Sequence, residues 1–574
     1  MLTACGTAFS QQSPDANPKP GEVQEVVVTA QKRVQATSKV PISLSVVDGD
    51  DIKSKGVSTA ANLTELVPNV QAGVGFAGGM EITIRGIGNA DNTERGDPQA
   101  AFHIDGIYIG RPQGAGATFF DVERIEVLRG PQGTLYGRNA NAGAINVITR
   151  RPVGTFQGLA AAEFGNYNAQ RLEAMVNAPV GDSFALRAVV SKQKHDGYSD
   201  TANAANGFEK DRDDQDNLSG RVLGLVKLAP TASLLLGVDG SRDKGAGPAF
   251  FDITSGTLPT TFTNNPQVEG SIDNHSGGAL AEFNYGFGSF GLTYLFGHRT
   301  ATRKEVTSWG DAPSIFANFS NEYRQNSHEL RLGSAEPGPL EWVTGLYWFE
   351  EVGSNIDLDV LLPAAFGGGR AIHFVQNPAI SKSSAVFGQA TYAFQPGLRG
   401  TLGIRYTRDE KSRQGETRTG PNDTPIGVVG NSANGEWSKP TYRVGLDYDL
   451  SPTTMLYGTI STGYKAGGFN DGNSVVGDPN YNPNLYYKPE SITAYETGLK
   501  GRFLDNTLNV AASLFYYDYN DLQKSAVANN TLVTLNAAKA AVKGFELEGR
   551  AATSTNGRLN FAIGLLSAKY TEYI

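Results

Sequence analysis

The chain has 574 residues, a net charge of −9, 69 glycines and 23 tyrosines, and only 39% of it is hydrophobic. Length alone would suit roughly three or four soluble domains, but no stretch approaches the ~18 consecutive apolar residues of a membrane helix, and the acidic balance gives no reason to expect a nucleic-acid partner. One cysteine, Cys5, excludes an intrachain disulfide, and the six histidines are scattered without metal-ligand spacing.

The first residues, MLTACGTAFSQQ, read as the tail of an export signal, with Ala8-Phe9-Ser10 as a small-residue cleavage site before Gln11. Lipoprotein processing at Cys5 is the alternative. The basic and apolar regions that should come first are missing, so the start reads as clipped or misassigned. A polar lead runs to residue 24. It is followed by EVVVTA, Glu25–Ala30, whose β-branched run marks a strand with nothing nearby to pair with. That strand is either the first of the following domain or one intended for another protein.

Residues 39–152 change character. VSTAANLTELVP predicts a short helix capped by Ser58, with Leu63 and Leu66 on one face, ending near Pro68. MEITIRGIG and AAFHIDGIYIG read as strands, and DVERIEVLRGPQGTLYGRNANAGAINVITRRP as strand, glycine-rich turns, strand. The glycines of LRGPQGTLYG suit tight turns. A phosphate cradle has little support, because GIGNAD lacks a third glycine and no P-loop lysine follows. The segment reads as a compact α+β domain.

From residue 153 onward one pattern repeats about seventeen times: some ten residues of alternating apolar and polar character, bounded by turn residues. Connections alternate between short ones, such as PVGDS, SPTT and FLDN, and long ones at 195–216, 241–276, 352–382, 409–436 and 466–489. In LGIRYTRD, Leu402, Ile404 and Tyr406 share one face, and Arg405, Thr407 and Asp409 the other. A half-solvated soluble sheet makes the same stripe. The regular loop asymmetry favours an antiparallel membrane β-barrel, where a charge facing lipid at mid-depth would cost roughly 2–4 kcal/mol and the ionic face must therefore line the lumen. Phe515-Tyr516-Tyr517 reads as part of an interfacial aromatic girdle. An odd strand number leaves an edge, and the chain stops at KYTEYI with no closing strand, so it reads as C-terminally truncated. No catalytic triad, paired-carboxylate site or metal cluster is evident, and no enzyme activity or cofactor is expected.

The motifs VPISLSVVDGDDI, IRGIG, FHIDGIYIGR and ERIEVLRGPQGTLYGRNANAGAINVITRRP closely resemble the plug of TonB-dependent outer-membrane receptors, and YRQNSHELRL, GYKAGGFN, KPESITAYETGLK and SLFYYDYNDLQ resemble their barrels. The resemblance runs from about Glu25 to Ile574. It implies a 22-stranded barrel in a Gram-negative outer membrane with an α+β plug in the lumen; relative to that pattern roughly five strands are absent here. It implies this organisation: signal remnant and leader at 1–24, TonB box and linker at 25–38, plug at 39–152, and incomplete barrel at 153–574.

By the same resemblance Glu25, Val26, Val27, Val28, Thr29 and Ala30 are similar to the TonB box, whose partner strand belongs to TonB, driven by the inner-membrane ExbB-ExbD motor. Arg85, Arg129, Glu496 and Glu546 match a plug–barrel lock, with Glu548 as the alternative to Glu546. The implied function is active uptake by a monomer, most commonly of a ferric siderophore. Cobalamin, haem, saccharides or other small organics are the alternatives, and a passive surface-binding protein or porin is the rival class. With only about two dozen residues before Glu25, no signalling domain is expected. Phe250, Phe251, Trp309, Tyr481, Tyr486 and Tyr487 are loop aromatics suited to stacking on a ligand, or to plain loop packing. The acidic EKDRDDQD loop gives no hint of an anion-binding funnel.

Overall fold

A computed structural model describes residues 23, 25–57, 59–74, 80–89, 96–111, 119–201, 208, 211–250, 263–264, 266, 268–308, 310, 314–362, 368–420, 427–474, 476–528, 531–554 and 557–573. Val27–Val28 (β1) pairs antiparallel with Gln35–Ala36 (β2). Leu44–Asp48 (β3) and a one-and-a-half-turn helix, Gly49–Ser54 (α1), follow. The helix expected after Val57 is a 3₁₀ segment, Ala60–Glu65. Ser58 lies outside the described residues. The N-terminal cap is Thr59, whose N–H donates to the Asn62 side chain at 3.2 Å. Leu63 is fully buried and Leu66 packs at the rim of the same cluster.

Val70–Val74 (β4) and Met80–Ile84 (β5) form a hairpin. Ala100–Ile104 (β6), Ile107–Tyr108 (β7), Val122–Arg129 (β8) and Gly143–Thr149 (β9) join β3 in one sheet, ordered β3-β8-β9-β6-β7, in which β6 and β9 run parallel. β6, β8 and β9 are buried on both faces; β6 and β9 read as mainly apolar runs rather than alternations, whereas β8 carries the buried charges Arg124, Glu126 and Arg129. Of the three glycines in LRGPQGTLYG, Gly130 and Gly137 have φ of +80° and +84°, the turn role expected. Gly133 serves close approach instead: a Cβ there would sit 2.6 Å from the Thr462 carbonyl oxygen.

Around this small domain curves one antiparallel sheet of 18 strands in chain order, from Gln157–Gly165 to Arg558–Tyr573. Gly427–Gly430 and Ala433–Ser451 both pair with Leu398–Thr419 and are separated only by Asn431 and Ser432. Counted as one interrupted strand they make seventeen, the number read from the alternation. Among the described residues no pairing joins the first strand to the last.

Sidedness follows the sequence pattern. Leu402, Ile404 and Tyr406 are 64%, 62% and 53% exposed on the outer face, whereas Arg405, Thr407 and Asp409 are 2% exposed or less on the inner one. A row of exposed apolar side chains repeated around a curved sheet is a lipid-facing surface.

Two expectations need correction. Residues 352–382 and 409–436 are largely strand, not loop: Leu340–Leu362 and Gly369–Gln395 continue the ladder, the latter for 27 residues. A membrane strand needs ~9–11 residues. Beyond lipid both faces are wet, so the hydrophobic alternation fades while the ladder bonds persist. And Phe515-Tyr516-Tyr517 is not a girdle as a unit. Successive strand residues face opposite ways: Tyr516 is exposed outward, while Phe515 and Tyr517 are buried against the plug.

Candidate functional site

Three places along the interior bring together side chains that the fold has no need to bury. The first is the N-terminal segment, at the rim of short turns. Glu25 lies 3.4 Å from Arg502, Val23 N–H donates to the Asn506 carbonyl, and Lys39 is 3.0 Å from Asp449; each partner sits beside a tight turn. Val28 and Ala30 are buried in a cluster with Val40, Ile42, Leu44 and Leu128. Thr29 N–H donates to Glu126 at 2.8 Å, and Tyr136 hydroxyl donates to the Ala30 carbonyl at 2.8 Å. Lys32 bridges to Glu329 of the sheet at 3.3 Å. Burial lowers its ammonium pKa, Glu329 works against that, and Arg331 and Arg405 add to it. The partner strand that the sequence left open is here β2 of the same chain.

The second place is a buried ionic network between the plug and the wall. Arg85 lies in the left-handed region, at φ +53°, a costly conformation for a residue with a side chain. Its fully buried guanidinium grips Glu546 with two donors, at 2.9 and 2.6 Å, and reaches Glu496 at 2.7 Å. It lies 3.8 Å above the Phe515 ring and also contacts Tyr517 hydroxyl. Arg129 is 3.3 Å from Glu546 and pairs with Glu548. Ser43 ties both acids in: its N–H donates to Glu496 at 2.9 Å, and its hydroxyl to Glu546 at 3.1 Å. Asn69 donates to Glu546 at 2.8 Å and Tyr457 to Glu496 at 2.9 Å. Burial alone would pull the Arg85 guanidinium down, but Tyr517, Glu496 and Glu546 outweigh it and hold it well above its ordinary value.

The third is a narrow recess of about 50 Å³ at the end where strands run into long connections. Arg111, Lys411 and Arg413 line it with Glu351, and Phe374 and Phe469 supply apolar wall. Arg111 of the plug donates to Glu351 of the wall at 2.8 and 2.6 Å. Lys411 of the wall meets Asp97 of the plug at 2.6 Å. Burial would raise the Asp97 carboxyl, but Lys411, Arg138 and Arg111 outweigh it and hold it at about 2. Below the recess Arg138 faces Asp409 at 3.6 Å.

The family description "TonB-dependent Receptor Plug Domain" matches residues 36–144, and "TonB dependent receptor-like, beta-barrel" matches residues 191–573. The chain belongs to the TonB-dependent receptor family. It is an outer-membrane receptor, not an enzyme, and its transport of a ligand depends on TonB. The pesticin receptor of Yersinia pestis is 25% identical over 550 residues, covering 92% of this chain and 75% of the relative. Among solved structures, the ferric yersiniabactin uptake receptor FyuA from Yersinia pestis superposes with a TM-score of 0.80 at 18% identity, over 92% of this chain and 79% of that one. The siderophore receptor PiuA from Acinetobacter baumannii gives 0.76 at 16% identity, over 97% and 83%.

The receptor brings all four expected lock residues together, Arg85, Arg129, Glu496 and Glu546, and adds Glu548 beside Glu546 rather than in its place. Ser43, Asn69, Tyr457 and Tyr517 of this network have no sequence signal, since small polar residues and strand tyrosines are common everywhere. The loop aromatics are less united. Phe251 and Trp309 lie outside the described residues. Phe250 is half-buried, and Tyr481 is exposed. Tyr486 and Tyr487 pair with Gly468–Phe469, and the Tyr486 ring meets Phe469 at 5.7 Å, so they back the recess without lining it. Nothing in the sequence draws the cations of the recess together, because Arg111 lies far along the chain from Lys411 and Arg413. Asp357, Asp359 and His373 also cluster, with ligand-type atoms within 4.8 Å of one another. Cross-strand register, not sequence spacing, joins them, and Arg370 already pairs with Asp359 at 2.7 Å.

Proposed function

We propose that this receptor imports a ferric siderophore into the periplasm, as a monomer, with TonB and its ExbB-ExbD motor supplying the work. The observation that carries this is the opposition of two ends: residues 25–30 sit at the short-turn rim, and the cation-lined recess sits at the long-connection end of the same lumen. The names of similar proteins, a pesticin receptor, a ferric yersiniabactin uptake receptor and a siderophore receptor, favour an iron chelate as cargo.

In this reading the ligand rests in the recess, beside the wall that Tyr486 and Tyr487 back. Glu25, Val26, Val27, Val28, Thr29 and Ala30 leave their seat against β2 and Glu126 and add as a strand to the edge of a TonB sheet. Main-chain bonds give that pairing its affinity. Several of them are loaded together when the pair is pulled along its length. The pull reaches β3 first, the edge strand of the plug sheet, which carries Ser43 at its entry and so the tie to Glu496 and Glu546. Arg85 and Arg129 with Glu496 and Glu546 act as the lock that keeps the rest of the plug seated. Buried ion pairs suit such a lock, because they are specific yet gain little net energy once desolvation is counted.

Val27→Pro tests the pairing role, because proline removes an N–H from any ladder. Uptake of a radiolabelled ferric siderophore should be abolished while binding to the cell surface is kept. Normal uptake by the variant would refute the reading.

A further inference from the structure

We infer that the cargo passes down one side of the plug, along a seam between plug residues 133–137 and the wall strands Gly369–Gln395, Leu398–Thr419 and Ala433–Ser451, while the other sides stay closed. This rests on the transport reading and gives it a route. The plug meets its wall in two different ways. Ile107 packs into Leu223, Leu235, Leu280 and Leu295, which come from four neighbouring strands. Phe515, Leu522 and Val542, from a second stretch of wall, join the core of the plug itself. The seam is built otherwise. Gln389, Gly403 and Arg443 stand opposite one another on its three strands, and Arg405 stands opposite Thr441 in an adjacent inward-facing row. Ser383 Oγ, Gln389 Oε1, Thr441 Oγ1 and Arg443 Nε are buried there without a hydrogen-bond partner. Among the described residues its apolar contact lies at one edge, where Leu135 meets Val343 and Phe387.

Parting the leucine contacts exposes apolar area to water. Parting the seam lets unmet polar groups bond to water or to a polar cargo, which offsets the cost of separation. The plug side of the seam is largely main chain. A Cβ added to Gly137 would lie 2.7 Å from the Arg405 guanidinium, and one added to Gly133 would lie 3.0 Å from the Thr441 methyl, so few side chains have to withdraw. At its outer end the seam runs into the recess, whose Ser381 and Lys411 belong to the first two of these strands. Both of its faces are also tied to the N-terminal segment. Tyr136 hydroxyl donates to the Ala30 carbonyl at 2.8 Å, and the Arg443 guanidinium donates to the Pro41 carbonyl at 2.7 Å. A pull on residues 25–30 therefore loads the seam from the plug side and from the wall side. Ile107 lies on β7, the edge of the plug sheet farthest from β3, and is loaded last.

The test places cysteine pairs in the full-length receptor carrying Cys5→Ser, and follows accumulation of a radiolabelled ferric siderophore by energised cells before and after dithiothreitol. Thr134→Cys with Gly403→Cys bridges the seam; Ile107→Cys with Gly297→Cys bridges the leucine side. A Cβ built on Gly403 lies 2.9 Å from the Thr134 methyl, and one built on Gly297 lies 2.7 Å from the Ile107 side chain, close enough in both places for a disulfide. The oxidised seam bridge should abolish accumulation while surface binding is kept, and reduction should restore it. The oxidised leucine-side bridge should leave accumulation unchanged. Equal loss with both bridges, or normal accumulation with a seam bridge verified by thiol titration, would overturn the inference. The reduced form of each variant reports on folding, and Gly133→Cys with Thr441→Cys bridges the same seam if the Gly403 variant does not reach the membrane. Failure of the transport reading has a separate sign: the unaltered receptor would show no energised accumulation, and the inference would fall with it.

Discussion

The two ends of the plug are held by different kinds of ionic contact. At the inner end Arg85 and Arg129 meet Glu496, Glu546 and Glu548 in a dry network, where nearly every oxygen has a second donor from Ser43, Ser45, Asn69 or Tyr457. At the outer end single pairs, Arg111–Glu351 and Lys411–Asp97, border an open recess. The first arrangement is hard to exchange, because any intruding group must satisfy several partners at once. The second can be exchanged one acid at a time.

Breaking the inner end should cost most. Arg85→Ala takes from Glu546 its two-donor partner, leaving only Arg129, at 3.3 Å, as a cation, and takes from Glu496 its ion-pair partner, and removing one partner of a buried pair costs roughly 3–5 kcal/mol. The expected outcome is a large fall in the thermal stability of the detergent-solubilised protein, together with increased entry of large antibiotics into cells. Arg129→Ala should act in the same direction at about 2 kcal/mol, because Glu546 keeps Arg85 and Asn69 and Glu548 keeps Ser45; antibiotic leakage should rise above the unaltered protein but stay below Arg85→Ala. Unchanged permeability in both would remove the lock role.

At the outer end the sign of the pH dependence is fixed by Asp97. Its folded value of about 2 lies below the ordinary 3.8, so its contribution is fully present above about pH 4 and is lost as pH falls through about 2. Asp97→Asn should therefore lower thermal stability by about 2 kcal/mol at pH 6, with the gap closing toward pH 2. A gap independent of pH would mean that the carboxylate charge is not what ties the plug there. The smallest effect is expected at the rim. Lys39 and Asp449 are 39% and 20% exposed, and a half-exposed pair of this kind is worth about 0–1 kcal/mol; Lys39→Ala should shift the melting temperature by no more than a degree or two, about the scatter of the measurement.

How much of this could be read from sequence depended on whether a residue's neighbours lay along the chain or across it. The alternation of Leu402, Ile404 and Tyr406 against Arg405, Thr407 and Asp409 is local, and it gave strand number and sidedness correctly. Arg85 and Arg129 were legible because each sits in a short plug motif. Their partners Ser43 and Asn69 were not, since a hydroxyl or amide becomes informative only when the fold sets it against a buried carboxylate 453 to 503 residues away. The recess failed for the same reason. Arg111, Glu351 and Lys411 come from three distant segments, whereas the acidic run EKDRDDQD is conspicuous only because its charges are close together in the chain. The extended strands beyond 352 and 409 were hidden because alternation reports lipid, and those residues stand above it.

The most direct test of the whole account is accumulation of a radiolabelled ferric siderophore by cells carrying this receptor, with the inner membrane energised and with its proton-motive force collapsed. The account predicts that binding at the cell surface is the same in both conditions and that accumulation occurs only when the membrane is energised. Equal accumulation in both would contradict it.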